Sequence, residues 1–135
     1  MAKKLSIPVN LADEYTVIAI SCHLKDYRIS FYLNNSLGIK LKRARDLIIE
    51  TQARENHMNY ALYIFDDQDN RSNIYLLANH HPDGKLLSSQ KQSDYFLIFT
   101  PPVTAKDLDN IILNIRQIHG VLTAYDMDLR KARDI

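Results

Sequence analysis

The stretch from Ser93 to Asp128 constrains the fold most, because it reads as strand, helix and strand with punctuation at every joint. Tyr95-Phe96-Leu97-Ile98-Phe99 is an aromatic and β-branched run of strand length. Thr100-Pro101-Pro102 stops it, since proline removes a ladder donor and fixes φ. Thr104 with Asp107 three residues later predicts a helix N-terminus of capping-box type, with acid at the positive end of the dipole. Leu108, Ile111, Ile112, Ile115 and Ile118 then lay one apolar stripe along a helix over 104–119. His119-Gly120 closes it, and Val121 to Tyr125 reads as a strand.

The rest of the chain supplies more strands. Tyr15 to Cys22 is apolar and β-branched nearly throughout, the pattern of a central strand covered on both faces. Leu24 to Leu37 fits two periods, but its length and Gly38 favour a helix over 25–37, packed closely on the sheet. Asp46 to Thr51 reads as a strand, Gln52 to Asn59 as a polar loop. Tyr60 to Phe65 and Asn73 to Ala78 form a hairpin around a polar link. The expected fold is α+β: a mainly antiparallel sheet of five or six strands, two helices on one face, in the order β-α-β-β-β-β-α-β. The last strand–helix–strand unit is expected to place its strands apart, as in a ferredoxin-like layout. With 135 residues, this is one domain spanning 1–135.

Composition narrows the function classes. The 17 basic and 16 acidic residues leave a net charge of +1, which argues against a general nucleic-acid binder. One cysteine, Cys22, forms no intrachain disulfide, and no run is apolar for the roughly 20 residues of a membrane helix. A cytoplasmic location is the expectation. Only three glycines, Gly38, Gly84 and Gly120, are present, too scattered for a phosphate-cradling loop or dinucleotide fingerprint. No nucleophile elbow, paired C-x-x-C or zinc-helix motif occurs, and no cofactor is expected.

Local clusters read mainly as structure. Cys22 and His23 are strand neighbours that point apart, so they make no dyad. The Asp66-Asp67-Gln68-Asp69-Asn70 run lacks the glycine and distal glutamate of a calcium loop and reads as a hairpin tip. His80-His81-Pro82-Asp83-Gly84 reads as a turn, and no metal site is expected. Lys40, Lys42, Arg43 and Arg45 form the densest basic cluster, the residues an RNA-binding role would use.

Ser21-Cys22-His23-Leu24-Lys25-Asp26-Tyr27-Arg28, followed by Lys91-Gln92-Ser93-Asp94-Tyr95-Phe96-Leu97-Ile98, resembles the bacterial family called IPExxxVDY. The likeness covers most of the chain, including the Leu37-Gly38 helix end and the Gly120-Val121 step. Asp94 and Tyr95 match the name-giving motif; Leu87, Ser88 and Ser89 stand where Ile, Pro and Glu would be, and Ser93 stands for Val. The resemblance implies no catalytic residues. Read from their own chemistry, Lys25, Asp26, Tyr27, Arg28, Asp94 and Tyr95 are first a structural cluster at the ends of a helix and a strand, and second a binding rim beside an aromatic. The leading expectation is a non-catalytic interaction or regulatory module that pairs with itself or with a protein partner. An RNA-binding accessory protein is the alternative. A second alternative is an enzyme with its site near Lys25, Asp26, Arg28 and Asp94.

Overall fold

In the computed structural model, residues 15–50, 57–79 and 93–127 are described. Strand β1 (Thr16–Cys22) lies inside a six-stranded sheet whose order is β2-β5-β6-β7-β1-β8. The other members are β2 (Lys42–Arg43), β5 (Leu62–Asp67), β6 (Ser72–Ala78), β7 (Tyr95–Thr100) and β8 (Val121–Asp126). Every pairing is antiparallel. Helix α1 (Asp26–Leu37) follows β1, and α2 (Ala105–Arg116) follows β7. The α+β class and the expected succession of elements are both present. β7 and β8 each run antiparallel to β1, one on either side, so the last strand–helix–strand unit is split by β1.

Alternation along the strands builds two cores. Ile18, Ile20 and Cys22 of β1, with Tyr95, Leu97 and Phe99 of β7, face both helices and pack with Ile29, Leu33, Ile112 and Ile115. Val17 and Ala19, with Phe96 and Ile98, face the other way. Two helices on one face would leave that second face solvated or paired, whereas the pattern of Tyr15 to Cys22 predicts cover on both. The second face is a core of its own, as the strand pattern has it, capped by β3 (Leu47–Glu50) and β4 (His57–Tyr60), a separate two-stranded sheet. Leu47 and Tyr60 are buried in it.

Two strand boundaries differ from the expectation. The predicted Tyr60–Phe65 strand is divided at Ala61, because Tyr60 completes β4 while Leu62 opens β5. Part of the predicted loop over 52–59 is therefore strand β4. Its pairing to β3 compensates for a polar composition that hides it. The hairpin between β5 and β6 is as expected, its tip held by Asp67, which accepts from the Asn70 backbone and side-chain amides. The turn at His80–Gly84 and the Leu87, Ser88 and Ser89 positions lie outside the described residues.

Helix ends follow their local chemistry. Gly38 takes φ +66° after α1, and its amide bonds back to the Asn34 carbonyl, a glycine-terminated end. Thr104 Oγ1 accepts from the Asp107 amide, as the capping spacing predicts. α2 ends at Arg116, three residues before the predicted end. Tighter bonds from Gln117 to Asn114 and from Ile118 to Ile115 finish the turn. Gly120, at φ +99°, belongs to the turn into β8 rather than to the helix cap.

Candidate functional site

The first turn of α1 is where the predicted binding residues begin. Lys25 is the exposed N-cap residue; its carbonyl accepts from the Arg28 and Ile29 amides, and its side chain makes no cap bond. Asp26 opens the helix at its positive end. Its carboxylate accepts from the Tyr63 hydroxyl on β5 at 2.9 Å, so it ties the helix to the sheet. Arg43 of β2 brings Nε within 4.0 Å of the same oxygen. Arg43 also donates to Asp46 at 2.5 Å and to the carbonyls of Ala44 and Leu62, and its guanidinium lies 5.5 Å from the Tyr63 ring centre. The hydrogen bond to Asp46 raises the Arg43 pKa. Burial, then the Asp26 bond, pushes the Tyr63 hydroxyl up to about 12.

Asp94 and Tyr95 anchor a different joint. Asp94 accepts from the Cys22 amide through Oδ2 at 2.8 Å, donates its own amide to Ile20, and accepts from the Asn79 amide through its carbonyl. Buried Tyr95 donates its hydroxyl to the Leu24 carbonyl at 2.7 Å, fixing the chain between β1 and α1. Burial raises its pKa most, and the nearby carboxylates of Asp26 and Asp94 add to that. Behind it, Asn79 Nδ2 donates to the Ser93 carbonyl, and Ser93 Oγ sits 3.3 Å from the Tyr125 hydroxyl. Asp26 and Asp94 thus both lie near Tyr95, yet each is engaged by a separate element. The Tyr63–Asp26, Asp94–Cys22 and Tyr95–Leu24 bonds each join one part of the fold to another.

That arrangement has limited chemical capacity. Burial raises the Cys22 thiol pKa and keeps it protonated, while His23 is exposed. Tyr63 and Tyr95 hold their protons well above neutral pH and serve as donors. Among the described residues no three His, Cys, Asp or Glu side chains are placed to hold a metal ion. A depression of about 430 Å³ opens between Ile74, Phe99, Pro101 and the start of α2, but its Thr104 hydroxyl is committed to the helix cap.

The basic set divides. Lys42 pairs with Ile64 and Arg43 with Tyr63, so these neighbours project to opposite faces of the sheet. Arg43 is further neutralised by Asp46 and Asp26, while Lys40, Lys42 and Arg45 remain exposed.

The most distinctive surface lies on the outer side of α1. Only Ile29, Ser30 and Leu33 of this helix are buried. Tyr27 and Phe31, one turn apart, are 60% and 59% exposed. Beside them Arg28 donates to the Tyr32 hydroxyl at 3.1 Å and lies 5.8 Å from its ring centre, and Phe31 meets Tyr32 edge-on at 5.6 Å. Tyr27 and Phe31 thus place two exposed aromatic rings side by side on this face. Once packing turns Ile29, Leu33 and Leu37 inward, residues 27 and 31 fall about 120° and about 160° from the middle of that stripe at ~100° per residue.

The chain matches no family model and no curated protein.

Proposed function

We propose that the protein is a non-catalytic interaction module whose contact surface is the outer face of α1. One observation carries this reading: a solvent-facing helix surface that bears Tyr27 and Phe31 and almost no charge. Asp26 and Arg28 are the only charged residues of α1, and Asp26 is turned to Tyr63. The outer face of α2, by contrast, has Lys106, Asp107, Asp109 and Arg116 exposed, the usual solvated pattern. Aromatic and arginine enrichment with few other charges is the composition of a protein contact.

The alternatives have less support. An enzyme built on Lys25, Asp26, Arg28 and Asp94 would need them to converge, whereas Asp26, Arg28 and Asp94 are each engaged with a different element. An RNA platform would have Tyr27 and Phe31 for stacking beside Arg28. Its cations are split between faces, and Arg43 is internally paired. Membership of the IPExxxVDY family fits this reading, with Asp94 and Tyr95 acting as joints of the fold. A cytoplasmic setting also fits: Cys22 is free and buried, and among the described residues no helix is long and apolar enough to cross a membrane.

A photo-crosslinking residue placed at Phe31 or at Leu113 tests the surface. Leu113 on α2 is 54% exposed, so accessibility is nearly matched. The reading predicts a discrete protein adduct in cells from position 31 and none from 113. Equal yields from both positions, or an adduct with RNA alone, would sink it.

A further inference from the structure

Resting on the reading of α1 as a contact surface, we infer that its occupant is a second copy of this chain, packed α1 against α1 in antiparallel fashion. Three features on the helix point to this. The exposed row Tyr27, Phe31, Asn35 is self-complementary. A two-fold axis at Phe31 sets Phe31 against its own copy and Tyr27 against Asn35 of the other chain. Tyr27 and Asn35 each lie ~6 Å along the helix from that axis. That offset keeps them within side-chain reach even if the helices cross at about 50°. The Asn35 amide supplies a donor and an acceptor for the tyrosine hydroxyl.

Electrostatics agree with the same geometry. The last turn of α1 contains no basic residue of its own to complement its negative dipole end. Antiparallel packing brings the exposed Arg28 of each copy towards that end of the other. The two helix dipoles also oppose each other, and a net charge of +1 gives two chains little cause to repel. A parallel arrangement would instead stack like ends together.

Size sets the strength. α1 has 12 residues, a length of ~18 Å, so one helix face falls short of the ~800 Å² per partner of a standard stable interface. The association is therefore weak and reversible, populated at micromolar or higher concentration.

Cysteine trapping reads the register directly. Tyr27→Cys and Asn35→Cys chains, mixed at high concentration and oxidised with diamide, are expected to form a mixed disulfide in preference to either homodimer. Phe31→Cys alone is expected to form a homodimer, and the native Cys22 does not compete because it is 3% exposed. Unchanged circular dichroism confirms that each variant is folded. Absence of both products overturns the inference, as does trapping with no preference between positions. If trapping fails while the crosslinker at Phe31 captures a different protein, the second copy is excluded and the contact surface stands. If neither gives a product, both fall.

Discussion

Tyr63 shows how a single hydroxyl joins three elements. It donates to Asp26 at the start of α1, packs under the Arg43 guanidinium of β2, and itself belongs to β5. Tyr63→Phe removes the hydrogen bond but keeps the ring. Because Asp26 is about one-third exposed, water can replace the lost donor, and the expected cost is about 1 kcal/mol in urea denaturation. The same residue sets a pH dependence. Its pKa is raised on folding, from 10.0 to about 12. The contribution is then fully present below about pH 10 and lost as the pH rises from 10 towards 12. The stability gap between wild type and Tyr63→Phe is therefore predicted to shrink over that window. An ultraviolet titration is predicted to lose one late-ionising tyrosine of the eight. A gap that stays constant up to pH 12 would contradict the assigned cause.

At the scale of elements, the two helices end by different means, and each makes a separate prediction. Thr104→Ala leaves the Asp107 amide without its cap and is expected to cost about 1 kcal/mol, read as a lower denaturation midpoint. Gly38→Ala meets no atom within 4 Å, so its cost is backbone strain at φ +66°, about 1 kcal/mol. Equal stability of either variant with wild type would contradict these assignments. Both devices were legible in the sequence, as were β1, β7, β8 and the isoleucine stripe of α2, because local spacing alone specifies them. Strand β4 was not: a polar segment becomes a strand only through its pairing with β3 and the burial of Tyr60, a long-range effect. The C-terminus of α2 was misplaced because Gly120 serves the turn into β8, where an added Cβ would sit 3.0 Å from the Leu24 side chain. On α1 the competing periods of Leu24 to Leu37 obscured which aromatics face out. Only the packing of Ile29 and Leu33 onto the sheet decides that Tyr27 and Phe31 are solvent-facing.

At the scale of the whole molecule, the sheet is covered on both faces, by α1 and α2 on one and by the β3–β4 pair on part of the other. The candidate residues accordingly sort into two groups. Asp26, Arg43, Asp94 and Tyr95 hold elements together at the joints of the fold, while Tyr27, Arg28 and Phe31 are presented outward. Association and stability are thus separable in this fold. Altering the outward group leaves the cores intact, since neither Tyr27 nor Phe31 contributes to them. Sedimentation velocity over a rising concentration series, for wild type and for the Tyr27→Ser, Phe31→Ser double variant, tests this most directly. The predicted result is a sedimentation coefficient that climbs with concentration in the wild type and stays at the monomer value in the variant, with both melting at the same temperature. A wild type that remains monomeric throughout, or a variant that associates as strongly, would contradict the assignment of α1 as the self-contact surface.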